Sequence, residues 1–337
     1  MAESAALMKV DADDPGAFNH CFADVNGIRM HYIDEGQGPP VILLHGFPYL
    51  WYMWRRQIPA LAAAGFRVVA PDQRGFGQTD RPEPIEAYDI SQSVGDMVGL
   101  MTALGETSAV VVGHDLGAWV AHAATMLRPD LFGALVMLNS PVPPRGKVKP
   151  TVALEAMAQG RVFHHLYFQQ IGEPDRELAS DPRKTLRSVY YSISGDATGD
   201  DRWRLFLPAG QPILNAFTEP KRFPAWLSER AIDYYVNEYT RTGFTGALNH
   251  YRCRDRNWEI TSFLDGAVIR QPSIFIGGAA DPSLEAIEIR GLYDQFDAYL
   301  PGLRKKVLLP GVGHSVAEES VDLVNEVLLE FLSQLGC

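Results

Sequence analysis

Cysteine is scarce in this chain, and its scarcity limits the kinds of protein that the chain can be. Only three of the 337 residues are cysteines, Cys21, Cys253 and Cys337, and they lie far apart. Structural metal sites need ligands at short, characteristic spacings, and disulfide scaffolds carry a dense, even set of cysteines. The sequence therefore predicts no metal centre and a reduced, cytoplasmic environment.

Long apolar runs and an excess of positive charge are missing as well. No apolar stretch approaches the roughly 18 residues of a membrane span, and the first residues lack the basic and apolar regions of a secretory signal. Acidic side chains number 41 against 30 basic ones, so the net charge is −11. A surface of that sign disfavours nucleic acids and anionic membranes. We expect neither as a partner, and the sequence leaves the oligomeric state open.

Short apolar runs and helical segments alternate along much of the chain. Asn26-Gly27 lies between two runs of alternating polarity and predicts a hairpin. The later runs have short connections, which is typical of a mostly parallel α/β sheet covered by helices. Strands are predicted at 18–25, 28–34, 40–44, 66–70, 109–113, 131–138, 271–278 and 306–309, and helices at 51–64, 91–104, 116–127, 284–299 and 318–335.

The alternation is interrupted in the middle of the chain. A proline- and lysine-rich stretch begins at Pro141, and residues 151–260 are helical in pattern and rich in aromatic side chains. We therefore expect one α/β domain with a helical insertion. The predicted division is a flexible tail at 1–16, an α/β core at 17–140 and 262–337, and a helical cap at 141–261.

The segment that is most informative about chemistry joins the strand at 109–113 to the helix at 116–127. Gly113-His-Asp115-Leu-Gly117 places Asp115 between two glycines, as in the strand-to-helix turn that carries the nucleophile of α/β-hydrolases. A carboxylate there is already ionised at neutral pH and can form an ester at saturated carbon. If this segment is considered alone, a simpler interpretation explains it better, namely that Asp115 caps the helix.

Two later loops supply the partners that such a nucleophile needs. Asp281 follows the apolar strand 271–278, and His314 follows the next strand. This reproduces the chain order nucleophile, acid, histidine of α/β-hydrolases. Backbone N–H groups of Phe47, in the loop after strand 40–44, and of Leu116 are the expected oxyanion donors.

Together these motifs resemble the soluble epoxide hydrolases of the α/β-hydrolase superfamily, which carry a helical cap. The similar segments are HGFPYLWYMW at 45–54, DQRGFGQTDRP at 72–82, GHDLGAW at 113–119, GGAADPS at 277–283 and GVGH at 311–314. The resemblance extends from about residue 20 to 335. It implies an α/β-hydrolase fold and an enzyme without cofactor or metal.

The resemblance also implies roles for two tyrosines of the cap. Family members hold the epoxide oxygen with two tyrosine hydroxyls, and the flanking residues match at Tyr167 and Tyr251. One departure is Leu116, where many relatives have tryptophan after the nucleophile, so substrate preferences do not carry over. We expect an apolar pocket lined by Phe47 and by Trp51, Phe163 and Phe168.

The implied reaction opens a hydrophobic epoxide to a vicinal diol. Asp115 would form a covalent ester, and water activated by His314, with Asp281 behind it, would hydrolyse that ester. A dehalogenase using the same aspartate is the nearest alternative, although Leu116 and Phe47 stand where haloalkane dehalogenases bind halide. A non-catalytic ligand receptor on the same fold is the alternative from a different class.

Overall fold

The computed structural model describes residues 11–336, except for the side chains of residues 287, 288, 294, 296 and 297. The first ten residues of the predicted tail, and Cys337, lie outside this part. Within it, no helix is both long and apolar enough to cross a membrane.

An eight-stranded sheet forms the centre of the described chain, in the order β1-β2-β4-β3-β5-β6-β7-β8. The β1–β2 hairpin and the β2–β4 pair are antiparallel, and the remaining pairs are parallel. This confirms the predicted α/β class and the hairpin at Asn26-Gly27. The strands are β1 (His20–Val25), β2 (Ile28–Glu35), β3 (Pro40–Leu44), β4 (Arg67–Pro71), β5 (Ala109–His114), β6 (Phe132–Leu138), β7 (Ser273–Gly278) and β8 (Leu303–Leu309).

Helices cover the sheet and fill the chain between β6 and β7. The predicted insertion contains the helices from α4 to α10. The helices are α1 (Gln57–Ala63), α2 (Ile90–Leu104), α3 (Leu116–Leu127), α4 (Pro150–Ala158), α5 (His164–Tyr167), α6 (Glu173–Ala179), α7 (Pro182–Ser192), α8 (Glu229–Thr242), α9 (Thr245–Arg252), α10 (Arg254–Ile260), α11 (Ile287–Asp294), α12 (Phe296–Tyr299), α13 (Val316–Glu319) and α14 (Val321–Ser333).

Three predicted helices differ from the structure in their extent. The helix predicted at 51–64 is a 3-10 turn, Trp51–Trp54, followed by α1. Pro59 lies in the first turn of α1, where its missing N–H costs no hydrogen bond, so the helix begins just before it. The helices predicted at 284–299 and 318–335 are each two shorter helices.

The described part of the predicted tail is packed rather than free. The Asp13 carboxylate accepts hydrogen bonds from Arg55 Nε at 3.0 Å and from Ser228 Oγ at 2.9 Å. The Tyr52 hydroxyl donates to the Asp13 carbonyl at 2.8 Å. These bonds join residues 11–16 to both the core and the inserted helices.

The central strands position the loops that carry the chemistry. In β5, every residue is buried, because helices cover both faces of the sheet. Leu44 of β3 and Met137 of β6 both lie in register with Gly113 of β5. The loops that follow these parallel strands therefore leave the same edge of the sheet side by side.

Candidate active site

Asp115 lies in the sharp turn between β5 and α3. Its backbone has φ 53° and ψ −118°, a strained conformation for a residue with a side chain. A Cβ at Gly113 would collide with the backbone of Gly117, and one at Gly117 with the carbonyl of Leu44. The side chain of Asp115 makes no capping hydrogen bond to α3. The simpler interpretation of Asp115 as a helix cap is therefore wrong.

The two carboxylate oxygens of Asp115 lie in different environments. The N–H of Phe47 donates a hydrogen bond to Oδ1 at 2.9 Å. Oδ2 lies 3.6 Å from Nε2 of His314. Gly46 allows this approach, because a Cβ there would collide with the Asp115 side chain. The structure thus brings together the predicted nucleophile, the predicted base and one predicted oxyanion donor. The second predicted donor, the N–H of Leu116, opens α3.

The second ring nitrogen of His314, Nδ1, fixes the orientation of the ring. Its Nδ1 lies 2.7 Å from Oδ2 of Asp281, a carboxylate that also accepts hydrogen bonds from Asn139 Nδ2 at 2.9 Å and from the N–H of Ser283 at 2.8 Å. Asn139 Nδ2 also donates to the carbonyl of Gly313, at 3.0 Å. Sequence reasoning missed Asn139, which follows β6 and joins the two loops that carry Asp281 and His314.

Electrostatics favours the charged forms of this group. Burial alone would raise the pKa of the Asp115 carboxyl, but the interaction with His314 lowers it to about 2. Burial alone would lower the pKa of His314, yet the charge of Asp281 and the contacts with both carboxylates raise it. These interactions therefore favour an aspartate anion beside a protonated His314 ring.

A cavity of about 370 Å³ opens above these residues, between the carboxyl end of the sheet and the inserted helices. Asp115 and His314 line it, with three of the four residues predicted for the apolar pocket, Phe47, Phe163 and Phe168, and with Leu116. Trp51 does not. It is fully buried, its ring packs on Phe18 at a centroid distance of 5.1 Å, and its Nε1 donates to Tyr234. The prediction that Trp51 lines the pocket is therefore wrong, because this side chain packs in the core.

The structure separates the two tyrosines that were predicted to act together. Tyr251, near the end of α9, lines the cavity, and its ring centroid lies 5.7 Å from that of Phe47. Burial raises the pKa of Tyr251 well above its usual value, so the hydroxyl keeps its proton. Tyr167 is not among the lining residues, and its hydroxyl donates to Oε2 of Glu177 at 2.5 Å. The contacts of Tyr167 therefore give no support to its predicted role, which stays a prediction.

Comparison with known proteins decides between the epoxide hydrolases and the related dehalogenases. A family model described as the alpha/beta hydrolase fold matches residues 39–321. Epoxide hydrolase A of Mycobacterium tuberculosis is 43% identical over 322 residues, which are 95% of this chain and 99% of that protein. An epoxide hydrolase of Caballeronia sordidicola is 36% identical over 91% of each chain. This chain belongs to the epoxide hydrolases of the α/β-hydrolase fold.

Solved epoxide hydrolases have the same architecture. Epoxide hydrolase A from Mycobacterium thermoresistibile superposes with a TM-score of 0.88 at 41% identity, over 94% of this chain and 98% of its own. An epoxide hydrolase from an endophytic Streptomyces superposes with a TM-score of 0.90 at 40% identity, over 94% and 96%.

In this member of the family, His164 is a cavity residue that sequence reasoning missed. It opens α5, lines the cavity, and its ring centroid lies 6.2 Å from that of Tyr251. Burial lowers the pKa of His164 to about 3, so the ring is neutral. Its Nδ1 is buried without a hydrogen-bond partner. The histidine pair at 164–165 before the aromatic run was the available signal.

His114, the residue before the nucleophile, supports the loop of the base. Its Nε2 lies 2.7 Å from the carbonyl oxygen of His314. Burial lowers the pKa of His114 to about 4, so the neutral ring donates this hydrogen bond. Among residues 11–336, no group of three or more histidine, cysteine or acidic side chains is arranged to hold a metal.

Proposed function

We propose that this chain hydrolyses apolar epoxides to vicinal diols through a covalent ester on Asp115. The observation that carries the proposal is the asymmetry of the Asp115 carboxylate. Oδ1 is held by the N–H of Phe47, whereas Oδ2 faces His314 at the floor of an apolar cavity. One oxygen is thus free to attack, while the other already occupies a site suited to negative charge.

In the first step, Asp115 Oδ2 attacks a ring carbon of the epoxide. A carbon–oxygen bond to Oδ2 forms as the bond from that carbon to the ring oxygen breaks. The oxygen that leaves gains negative charge and takes a proton from the Tyr251 hydroxyl. The low pKa of Asp115 keeps the nucleophile ionised throughout the physiological pH range.

The ring oxygen needs a second donor, and we propose His164 in place of Tyr167. The neutral His164 ring has one N–H to give. Nδ1 of this ring is buried without a partner, and burying an unpaired N–H is costlier than burying an unpaired lone pair. The proton therefore belongs on Nε2, and Nδ1 keeps the lone pair. His164 also lies close enough to interact electrostatically with Asp115 and His314. It can therefore donate to an oxygen that Tyr251 holds.

In the second step, water attacks the carbonyl carbon of the ester. Ester formation removes the charge of Asp115, which lowers the pKa of His314, so its imidazolium loses its proton to solvent. The Tyr251 phenolate left by the first step takes a proton from solvent, so the hydroxyl is restored. The neutral ring then takes a proton from the attacking water. The negative charge develops on Oδ1, where the N–H groups of Phe47 and Leu116 stabilise it. Cleavage of the bond from Cγ to Oδ2 releases the diol and restores the carboxylate.

We further propose that residues 141–261 act as the cap over a core formed by 17–140 and 262–337. Cavity residues come from both parts, including Phe163 and Phe168 from the cap and Leu116 from the core. The substrate in this proposal is a small hydrophobic epoxide. Cys21 and Cys253 are free thiols, which suits a working site in the cytoplasm.

The experiment is diol formation by purified protein from styrene oxide, a terminal alkyl epoxide and a trans-disubstituted epoxide. We expect diol from at least one of the three, and none above background from Asp115→Ala. In His314→Gln, the ester should accumulate and add the mass of the epoxide to the intact chain. Release of halide from haloalkanes without any diol would instead support a dehalogenase. Ligand binding without any product would support a receptor.

A further inference from the structure

A cationic side chain without a carboxylate partner borders the otherwise apolar cavity. Arg254, the first residue of α10, lines it, and its guanidinium lies 4.9 Å from the centroid of the Trp119 ring. Among the side chains that the structure describes, none forms an ion pair or hydrogen bond with this guanidinium. A cation removed from water without a partner is unfavourable, and proteins normally pair it.

Other arginines with largely buried side chains are paired with carboxylates. Arg55 pairs with Glu318, Arg74 with Asp96, and Arg252 with Asp175. The largest influence on Arg254 is burial, which lowers its pKa. The group nonetheless stays protonated, because the pKa of arginine starts so high.

The acidic side chains nearest in sequence are already engaged elsewhere. Asp255 accepts hydrogen bonds from the N–H and the hydroxyl of Thr151, at 3.0 and 2.6 Å. Glu259 pairs with Lys149 at 2.6 Å. The guanidinium therefore contacts the face of Trp119 and borders the cavity, where the charge of Asp115 acts on it from a distance.

Spacing along the chain places this group beside the reacting centre. Trp119 lies in the first turn of α3, which follows Asp115, and Arg254 lies three residues after Tyr251, across the junction of α9 and α10; all four residues line the cavity. His165 belongs to the same part of the wall, since Arg254 contributes to the low pKa of its ring. This neutral ring can add a hydrogen-bond donor.

We propose that Arg254, with His165 beside it, binds a carboxylate carried by the substrate, so that the preferred substrates are epoxides of organic acids. This inference rests on the proposed epoxide hydrolysis. A planar guanidinium matches a carboxylate with two parallel hydrogen bonds. The guanidinium carries one positive charge, which balances the single charge of a carboxylate but not the two charges of a phosphate monoester. The Asp115 anion nearby would repel the second charge, so a carboxylate is favoured.

Arg254 is not among the main groups that prepare the nucleophile. The largest influences that lower the pKa of Asp115 come from His314, His114 and the N–H of Phe47. For Arg254, the charge of Asp115 ranks after burial and the interaction with Tyr251. The guanidinium can therefore serve mainly the substrate, and its role should depend on whether the substrate carries a carboxylate.

The test compares a straight-chain acid that bears a terminal epoxide with its methyl ester, in which the charge is absent. We expect wild-type kcat/KM to be about tenfold or more higher for the acid, as for a charge-assisted hydrogen bond. Arg254→Met should lower kcat/KM for the acid at least about ten times more than for the ester. Arg254→Lys should recover part of the preference.

Arg128→Met is the matched control, because Arg128 is exposed and pairs with Asp130 outside the cavity. It should leave the preference unchanged. Equal losses on acid and ester in a folded Arg254→Met would overturn the proposal, as would a wild type that does not distinguish the two.

Binding of a saturated alkanoate of the same length, followed by calorimetry, tests the carboxylate site without turnover. We expect wild type to bind it more tightly than Arg254→Met. If neither epoxide is hydrolysed while alkanoate binding still depends on Arg254, the proposed hydrolysis is wrong and the carboxylate site stands. Alkanoate binding that is equal in the two proteins would overturn the carboxylate site.

Discussion

At the scale of single residues, the site depends on the mutual influence of Asp115 and His314. Each stabilises the charged form of the other, with Oδ2 and Nε2 separated by 3.6 Å. The pair therefore starts as anion and cation, which suits nucleophilic attack by Asp115. In the proposed mechanism, His314 can therefore act as a base only after ester formation has removed the charge of Asp115.

The two half-reactions should consequently respond differently to pH. Ester formation should be constant from about pH 5 to 8, because the pKa of Asp115 is lowered to about 2. Ester hydrolysis should slow as the pH falls through the pKa of His314 in the ester, since the protonated ring cannot accept a proton from water. Rapid-quench measurement of adduct and diol separates the steps. Hydrolysis that does not vary with pH would contradict a role for His314 as base.

Substitution of the two candidate tyrosines gives a matched comparison. Tyr251→Phe should slow ring opening by about a hundredfold or more, because one donor to the departing oxygen is lost. Tyr167→Phe should lower the thermal midpoint, because Glu177 loses a hydrogen bond, and should slow ring opening far less. Single-turnover rates and melting curves provide both readouts. A larger kinetic effect at Tyr167 would restore the role that sequence resemblance implies for it.

The proposed role of His164 is tested by the same single-turnover rates of ring opening. His164→Phe should slow ring opening by about tenfold or more, since a neutral donor beside Tyr251 is removed. His164→Gln keeps an N–H donor and should retain more activity. If the two variants behave alike, the ring of His164 fills space and does not hold the oxygen.

At the scale of elements, one acidic side chain joins the loop of the base to the inserted helices. Glu319, the last residue of α13, accepts hydrogen bonds from the N–H groups of Gly195, Gly313 and Ser315, at 2.8, 2.7 and 2.9 Å. Gly195 follows α7, whereas Gly313 and Ser315 flank His314. The position of His314 therefore depends on the contact between its loop and the inserted segment that contains Gly195.

Glu319→Gln should loosen this connection, because an amide N–H₂ would face a backbone N–H. We expect a loss of about 1–3 kcal/mol in the free energy of unfolding, and slower ester hydrolysis with ring opening less affected. Denaturant titration and single-turnover rates measure the two effects. Glu330→Gln is the control, since Glu330 makes an exposed pair with Lys305. Equal stability of both variants would mean that the three bonds to Glu319 contribute little.

At the scale of the whole molecule, the cavity is shared between two parts of the chain that are distant in sequence. Its walls come from the chain that follows β3, β5, β7 and β8 and from the segment between β6 and β7. Neither part encloses it alone. A ligand that fills the cavity must therefore contact both parts and stabilise the folded chain as one unit.

An apolar diol should raise the thermal midpoint of this protein. At a concentration of one hundred times its dissociation constant, a ligand stabilises the fold by about 2.7 kcal/mol. Phenylethanediol should produce the shift, whereas ethylene glycol, which cannot fill an apolar cavity, should not. Scanning calorimetry with both diols makes the comparison. The absence of a shift at saturating phenylethanediol would indicate that the cavity does not bind such products.

Prediction from sequence succeeded where one local pattern was sufficient. The buried strands, the hairpin and the turn at Asp115 all follow from apolar runs and glycine positions within a few residues. The prediction failed at Trp51 and gained no support at Tyr167, because it had to assign a direction to a side chain. HGFPYLWYMW and HHLYFQ are both rich in aromatic residues, and only packing separates those that face the cavity from those that face the core.

The sequence by itself determined the α/β class, the order of nucleophile, acid and histidine, and the likeness to epoxide hydrolases. These depend on residue type and on order along the chain, which the sequence states directly. Only the tertiary structure decided that Tyr167 is engaged by Glu177, that His164 reaches the cavity, and that the Arg254 side chain borders the same cavity against Trp119. Each of these depends on which side chains meet across the fold, and such meetings result from the packing of the whole chain.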